Sequence, residues 1–393
     1  MNYQLSRRSF LQSATVTALS QILQGCSDSK AILEILFLAN SIPLQLIGDF
    51  RKTITRENKV DFKPQPQLYQ IFDYLLEIQK NQKSDFNNNN LLTKIFNKSV
   101  AYPGVISLGD FWLASAIQKN LLQPLSVDSL ANWAKLPNFW QELVRRDRQG
   151  NITTNGQIYG APYRWGTTVI AYRSDKLNES KLTIKDWQDL WQPRLRDRLS
   201  LLDSPREVIG LTLKKLGYSY NTNNLDSIPN LSAELEALHQ QVKLYSSEHY
   251  LEPLVLGDTW VAVAWSTDIL PLLKRYPEIE FIIPPSGTSL WADLWVKPKS
   301  SQALDDPNLS AAIEKWIDFC WEPKSAKQIS LFTNGISPIL LSMKPEELPE
   351  DLQENIFLNS ATINWDRSEF LLPQTPEAKQ QYQDLWIKIR QSG

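Results

Sequence analysis

Hydrophobic residues along the chain alternate between short continuous runs and longer segments where they recur at helical spacing. The run AILEILFLA at 31–39 predicts a strand, and SIPLQLIGDFRKTI after it predicts a helix with Pro43 near its first turn. The same order of strand and then helix recurs at 104–125, 166–191, 198–217 and 259–276. Such alternation indicates parallel or mixed sheets with helices on both faces, which is an α/β fold.

The length and composition of the chain limit its class. At 393 residues it is too long for one ordinary hydrophobic core, so we expect two lobes. The net charge is −2, with acids and bases dispersed, so no basic patch for a nucleic acid is predicted. The few residues suited to metal binding or to a catalytic triad are two histidines and two cysteines: His239, His249, Cys26 and Cys320. We therefore expect neither a metal nor a cofactor.

The first residues have the composition of an export signal. Residues 6–11, SRRSFL, precede a short apolar stretch that is too short and too polar to span a membrane. The paired Arg7 and Arg8 resemble the twin-arginine export signal, although Gln12 stands where that signal prefers lysine. We expect a signal peptide at 1–25 that the twin-arginine translocase recognises. An amphipathic N-terminal helix is the alternative.

The sequence LQGC ends this segment and resembles a lipoprotein box. In such a box the cysteine, here Cys26, is acylated and becomes the first residue of the mature protein. Residues 26–30 would then be a short anchor linker. The expected location is periplasmic or extracytoplasmic, with a lipid anchor in a bacterial membrane.

The segment SLWADLWV at 289–296 carries the sharpest chemical signal. In a strand, alternate side chains lie on opposite faces, so Trp291, Asp293 and Trp295 share one face. A carboxylate between two indole rings suits a cationic amine, because the carboxylate accepts charge-assisted hydrogen bonds and the rings attract the cation. An edge strand with a solvated Asp293 beside packed tryptophans is the alternative.

Acidic residues also follow predicted strands where the chain enters a helix. Asp268 comes three residues after Trp265, and the other acids of this kind are Asp110, Asp203 and Glu207. Ligands gather at the carboxyl ends of parallel strands, so we expect these acids to line a cleft between two lobes. Each acid alone has a structural alternative as a helix cap or as a partner of the helix dipole. Together they predict a pocket for a polycation.

Four segments resemble the extracellular solute-binding receptors of ABC importers, specifically the spermidine/putrescine-binding branch. They are YGAPYRWGTTVIAYRSDKL, WQDLWQPRLRDRLSLLDSPREVIGLTLKKLGYSYNT, GDTWVAVAWSTDI and SLWADLWVKPKSS. Their order and spacing match the family, and the resemblance spans about residues 31–340. It implies a receptor without enzymatic activity, which captures a polyamine such as putrescine or spermidine and delivers it to a membrane permease.

The resemblance also implies a fold, the periplasmic-binding-protein fold of the type II-like kind, with two α/β lobes and a ligand cleft between them. The first lobe would comprise residues 31–125 and 291–335, and the second lobe residues 126–290 and 336–393. The chain would pass between the lobes near residues 125, 290 and 335.

Site residues follow from the same resemblance. Trp265 and Asp268 match a Trp-x-x-Asp that grips one amine, and Asp293 with Trp291 matches an aromatic-x-Asp that grips another part of the ligand. Glu207 and Asp203 match acids that follow a strand of the second lobe in the family, and Trp165 stands where the family places an aromatic residue.

The chain departs from the family after its first strand. Polyamine receptors have an aromatic residue and an aspartate there, whereas this chain has Asn40 and Ser41. Asp110 and Trp112 are the candidates to replace them. Arg164, if it faces the cleft, would repel a cation and favour a ligand with an acidic group. The alternatives therefore include a receptor for an amino acid derivative, a phosphonate or a sugar, an exported hydrolase with paired acids, and an envelope scaffold without a ligand.

Overall fold

The computed structural model describes residues 33–54, 60–87, 103–299, 307–359 and 362–391. The expected export motif with Arg7 and Arg8, the lipidation site Cys26 and the linker lie outside the described residues. No helix within the described ranges is both long and apolar enough to cross a membrane.

The chain alternates between strands and helices over most of its described length. The strands are β1 (Leu33–Leu38), β2 (Val60–Gln65), β3 (Val105–Gly109), β4 (Leu122–Gln123), β5 (Arg145–Arg146), β6 (Gln157–Ile158), β7 (Ala161–Arg173), β8 (Leu199–Leu201), β9 (Val242–Tyr245), β10 (Val261–Trp265), β11 (Ile279–Ile282), β12 (Ser289–Pro298) and β13 (Glu369–Phe370). The α-helices are α1 (Leu44–Thr53), α2 (Leu68–Asn87), α3 (Asp110–Gln118), α4 (Asn138–Val144), α5 (Ser174–Glu179), α6 (Pro205–Lys215), α7 (Leu231–His239), α8 (Glu252–Leu256), α9 (Ser266–Leu273), α10 (Pro307–Trp321), α11 (Pro323–Thr333), α12 (Glu350–Gln353) and α13 (Pro376–Gln391).

One mixed sheet runs through the protein in the order β2-β1-β3-β12-β7-β10-β8-β9. In what we call the first half, β1 lies parallel between β2 and β3, and β12 runs antiparallel to β3. In the second half, β8 lies parallel between β9 and β10, and β7 runs antiparallel to β10. The two halves thus repeat one strand order, and the predicted α/β class is confirmed.

The long strands β7 and β12 join the two halves. The beginning of β7 pairs with β12, and its end pairs with β10 and β11. The pairing of β7 and β12 shifts register opposite Pro162, which has no N–H to donate to the ladder. The sheet therefore changes halves within these two strands. The lobe boundaries expected from the resemblance stay a prediction.

Burial explains which predicted elements appear. The strand predicted from residue 166 begins at Ala161, because β7 has partners on both sides and its first eleven residues are all buried. The predicted helix ending at residue 191 is wrong in type, since Trp187–Trp191 is a 3-10 helix. Asp186 caps it by accepting a hydrogen bond from the Trp187 N–H at 2.8 Å, and Pro193 follows.

Each half of the sheet has its own aromatic packing. In the first half, Phe50, Phe62 and Trp316 form an edge-to-face cluster with ring centroids 4.9–6.3 Å apart. In the second half, α13 packs on α6 and α7, and the buried Tyr382 donates a hydrogen bond to the carbonyl of Tyr220 at 3.2 Å. These contacts fix the helices that hold the strand ends in place.

Candidate functional site

Three carboxylates stand at the carboxyl ends of strands, each in the first turn of the helix that follows. Asp110 is the first residue of α3, Glu207 the third residue of α6 and Asp268 the third residue of α9. Backbone N–H groups at the start of a helix favour negative charge. The shared strand order of the two halves brings these ends to the junction of β7 and β12.

Asp293 lies in this junction and already has a cationic partner. It stands directly opposite Arg164 in the ladder of β12 and β7. The Arg164 Nε donates to Asp293 Oδ2 at 2.6 Å, and Arg164 Nη1 donates to the carbonyl of Thr333 at 3.4 Å. Both charged side chains are buried, with Arg164 6% exposed and Asp293 1% exposed. Burial raises the pKa of Asp293, and the Arg164 charge opposes that rise. The carboxylate predicted to hold an amine thus holds a guanidinium of the same chain.

The indole of Trp291 adds a second contact to this guanidinium. The Arg164 Cζ lies 5.9 Å from the ring centroid, within the range of a cation–π interaction. Trp291 crosses over Gly166, where a Cβ would come within 2.3 Å of the ring, so only glycine fits there. The Nε1 of Trp291 is buried and has no hydrogen-bond partner among the described residues.

Trp295 does not form the second indole wall that strand alternation predicts. Its ring is fully buried, stacks on Tyr163 with centroids 4.4 Å apart, and meets Trp316 edge-on at 5.4 Å. Helix α10, which carries Trp316, covers that part of the face. Alternation gave the correct face of the strand, but only the packing of a distant helix determines which residues on that face stay accessible.

Asp110 is buried close to the ion pair. Its Oδ1 accepts a hydrogen bond from the Ala292 N–H at 2.9 Å. Burial raises the pKa of Asp110 to about 7, the Arg146 charge opposes this rise, and the Asp293 charge adds to it. Trp112, its proposed companion, is half-buried and stacks on Phe72 at 4.6 Å.

Asp268 is the exposed acid of the group. The Tyr250 hydroxyl donates to Asp268 Oδ2 at 2.7 Å. Although solvent reaches the side chain, the protein atoms around it raise the pKa of Asp268, and both Tyr250 and Arg164 oppose the rise. The alternative of a helix cap is wrong for this residue, because α9 begins at Ser266 with Trp265 as its N-cap residue.

Trp265 stands beside Asp268 with part of its ring accessible. Its backbone N–H donates to the Tyr250 hydroxyl at 3.3 Å, and the two rings meet edge-on at 6.1 Å. Tyr250, which is 2% exposed, thereby orients both predicted residues. Tyr250 was not predicted from the sequence, because it lies in the segment before α8, outside any strand–helix junction.

Glu207 is buried and accepts hydrogen bonds from two hydroxyls. The Ser289 Oγ lies 2.8 Å and the Thr168 Oγ1 lies 3.2 Å from Glu207 Oε2. Burial raises the pKa of Glu207, and these hydroxyls oppose the rise. Asp203 is not brought to this group, because it lies on the exposed surface, where it pairs with Arg390 at 2.6 Å.

The remaining predicted residues have structural surroundings. Trp165 is fully buried between Trp140 and Trp365, with ring centroids 5.7 and 5.3 Å away. Asn40 is exposed in a left-handed turn with φ 63° after β1. Ser41 is buried and accepts a hydrogen bond from the Tyr163 hydroxyl at 2.9 Å.

The group between the two halves, which we call the junction cluster, consists of Asp110, Arg146, Arg164, Glu207, Tyr250, Trp265, Asp268, Trp291 and Asp293. It contains four carboxyl groups against two guanidinium groups. Within the described ranges, no group of three or more His, Cys, Asp or Glu side chains is arranged to hold a metal ion. The chemistry that this arrangement supports is the binding of a cation.

A family model described as bacterial extracellular solute-binding protein matches residues 102–369. Among curated relatives, the spermidine/putrescine-binding periplasmic protein of Salmonella typhimurium is 30% identical over 247 residues, 63% of this chain and 66% of the relative, which is just under two thirds of its length. The spermidine/putrescine-binding periplasmic protein of Escherichia coli is 25% identical over 298 residues, 76% of this chain and 80% of the relative.

Solved structures share the fold. The spermidine/putrescine ABC transporter substrate-binding protein from Streptococcus pneumoniae superposes with a TM-score of 0.73 at 20% identity, covering 92% of this chain and 99% of the other. A periplasmic thiamin binding protein superposes with a TM-score of 0.60 at 13% identity, covering 93% and 97%. The predicted periplasmic-binding-protein fold is confirmed.

Proposed function

The chain belongs to the family of bacterial extracellular solute-binding proteins, and on that premise we propose that it is a receptor for a small cationic solute of the polyamine class. The receptor captures the solute at the junction cluster and delivers it to the permease of an ABC importer. The names of the relatives from Salmonella typhimurium and Escherichia coli support the ligand class.

The observation that carries this proposal is the exposed carboxylate of Asp268 beside the accessible ring of Trp265. Tyr250 donates to one carboxylate oxygen, Oδ2, at 2.7 Å, and the exposed Thr267 hydroxyl lies 3.5 Å from the other, Oδ1, where a ligand can replace it. An ammonium group can bond to the other oxygen, Oδ1, while the indole covers the neighbouring methylene groups. Asp268 therefore sets the position of the ammonium, and Trp265 forms a wall of the site.

Asp268 supplies most of this attraction, because burial raises the pKa of Asp110 and of Glu207, and Arg164 balances Asp293. Movement of the two sheet halves toward each other would exclude water and strengthen the ion pair between ligand and Asp268. The net gain is limited by the cost of dehydrating both ions.

A hydrolase with paired acids has little support from the geometry. Two of the candidates, Asp110 and Asp293, are buried at 7% and 1% exposure, and Asp293 is also bonded to Arg164. A glycosidase needs one carboxyl group free to donate a proton and a second free to attack or to activate water. We therefore propose a binding function without catalysis.

The site of action follows from the N-terminal motif and from the periplasmic relatives. We propose that the protein lies outside the cytoplasmic membrane, that the twin-arginine translocase exports it, and that a lipid at Cys26 anchors it. Metabolic labelling with a radioactive fatty acid checks the anchor: the wild-type chain incorporates the label and Cys26→Ala does not. Label retained in that variant would contradict lipidation at Cys26.

A thermal-shift screen of the full chain tests the ligand class, with putrescine, spermidine, amino acids, phosphonates and sugars as candidates. A ligand at one hundred times its dissociation constant stabilises the folded chain by about 2.7 kcal/mol, enough to raise the melting temperature by a few degrees. We expect a shift with amines. A shift only with an acidic or neutral solute would overturn the polyamine class and keep the receptor.

A further inference from the structure

The buried Arg164 has the surroundings that a bound ammonium group would need. A carboxylate oxygen of Asp293 accepts its hydrogen bond at 2.6 Å, and the ring of Trp291 lies 5.9 Å from its Cζ. The carbonyl of Thr333, the last residue of α11, accepts a further bond at 3.4 Å. A carboxylate, an aromatic face and the carboxyl end of a helix each attract positive charge.

The four carboxyl groups of the junction cluster differ in what they can still offer to a ligand. Asp293 is paired with Arg164, and Glu207 accepts from two hydroxyls. Asp110 is buried against the N–H of Ala292. Asp268 is the exposed one, with the Tyr250 hydroxyl at its Oδ2 and the more distant Thr267 hydroxyl, 3.5 Å away, at its Oδ1. One ammonium group of a ligand therefore meets an accessible carboxylate, and a second one does not.

The other end of the site presents donors. Arg164 brings a permanent positive charge, which Asp293 balances. The buried Nε1 of Trp291 has no acceptor among the described residues. A second ammonium group placed here would be repelled by the guanidinium, whereas a carbonyl oxygen would accept a hydrogen bond from it.

We infer that Arg164 is a built-in cation that fills the amine position of the first sheet half, so that the receptor prefers a linear amine with one ammonium end and one neutral, carbonyl-bearing end. A monoacylated diamine has this chemistry. The ammonium end binds Asp268, and the acyl end lies toward Trp291 and Arg164. This inference rests on the proposed function and narrows its ligand class, because an unmodified diamine must displace Arg164 to use Asp293.

Calorimetric titration of the full chain with putrescine and with N-acetylputrescine tests this assignment. We expect the wild-type protein to bind N-acetylputrescine at least as tightly as putrescine. In Arg164→Met, the preference should turn toward putrescine by about tenfold or more, because its second ammonium then pairs with Asp293. Arg164→Lys keeps the positive charge and should keep the wild-type order.

Two controls keep the result interpretable. Arg198→Met removes an arginine that lies 5.2 Å from the ring of Trp260 in the second half, and it should leave the affinity ratio unchanged. The double variant Arg164→Met, Asp293→Asn removes the carboxylate together with its cationic partner, and it should lose the tenfold gain for putrescine. That loss would show that the gain depends on Asp293.

The outcomes separate the two claims. A wild-type preference for putrescine that persists unchanged in Arg164→Met would overturn the inference and leave the amine receptor intact. The absence of binding by either amine to the wild-type protein and to every variant would overturn the proposed function together with the inference.

Discussion

The two halves of the sheet have the same strand order and each buries an acid at a helix start, Asp110 in the first half and Glu207 in the second, but only the second half also leaves a carboxylate of the junction cluster exposed. In the first half, Asp110 and Asp293 are buried, and Arg164 neutralises Asp293 from within the chain. In the second half, Asp268 remains exposed and is held by the hydroxyl of Tyr250. Equal topology therefore gives one closed end and one open end, and the open end is where a solute can bind.

The position of each acid in its helix contributes to this difference. Asp110 is the first residue of α3, directly after β3, so it stays next to the sheet and bonds to the backbone of Ala292 in β12. Asp268 is the third residue of α9, so it lies further along the first turn. A shift of two residues rotates a helical side chain by about 200° around the axis. Glu207 is also the third residue of its helix but is buried, with Ser289 and Thr168 donating to it, so the packing around each helix start decides exposure together with the position.

The largest effect is expected from removing the arginine that neutralises Asp293 in the first half. Arg164→Met leaves Asp293 buried without its cationic partner, which should lower the free energy of unfolding by about 3–5 kcal/mol. Urea denaturation followed by circular dichroism measures this. The double variant Arg164→Met, Asp293→Asn should lose less free energy of unfolding, since position 293 then carries no charge. An equal loss in the two variants would show that the charge of Asp293 is not the cause.

The next largest effect is expected at the open end. Asp268→Asn removes the carboxylate that pairs with the ligand ammonium, which should weaken binding of the preferred amine by about 2–5 kcal/mol if closure of the two halves buries that pair. Calorimetric titration measures the loss. Asp258→Asn removes an exposed acid of the same sheet half that pairs with Lys243 at 3.9 Å, and it should bind as the wild type does. Unchanged affinity in Asp268→Asn would contradict the role given to Asp268.

The pH dependence of the free energy of unfolding tests the buried state of Asp110 in the first half. Its folded pKa of about 7 exceeds the ordinary value of 3.8, so between these values the folded chain keeps a proton that the unfolded chain has released. The free energy of unfolding should therefore fall as the pH rises through this window, by at most about 1.4 kcal/mol per pH unit from this group.

Asp110→Asn isolates that contribution. The amide oxygen can still accept the Ala292 N–H, but it does not titrate. The difference in free energy of unfolding between variant and wild type should grow in favour of the variant from the low end of the window to its high end. Parallel stability curves across the window would refute the raised pKa.

The smallest effect is expected from the support of the open end. Tyr250→Phe removes the hydroxyl that bonds to Asp268, and we expect amine affinity to fall by about 1 kcal/mol, because water can replace this donor at an exposed carboxylate. The pKa of Asp268 should rise further. As the solution is acidified, the carboxylate is then protonated, and amine binding lost, at a higher pH than in the wild type. Tyr245→Phe, whose hydroxyl bonds to His239, is the matched control. If amine affinity falls over the same acidic pH range in Tyr250→Phe and in Tyr245→Phe, the contribution of Tyr250 is contradicted.

The sequence predicted the strand–helix units well, because their signals are local. Buried runs and the helices after them locate β1, β3 and β10, and alternation places Trp291 and Asp293 on one face. The resemblance to solute-binding receptors supplied the fold, and the matched family model and solved structures confirm it.

The partners of the acids were not predictable, because they depend on contacts far apart in sequence. Arg164 meets Asp293 across 129 positions, through the register of β7 on β12. Asp203 meets Arg390 across 187 positions, which takes it away from the cluster. The burial of Trp165 likewise depends on residues distant in sequence, because Trp140 and Trp365 enclose it.

A crystal structure of the full chain with putrescine would show directly which half of the sheet holds the ammonium group. We expect one ammonium nitrogen within about 2.7–2.9 Å of a carboxylate oxygen of Asp268, next to Trp265, with Arg164 still bonded to Asp293. An amine bonded to Asp293 with Arg164 displaced, or no amine between the two halves, would contradict it.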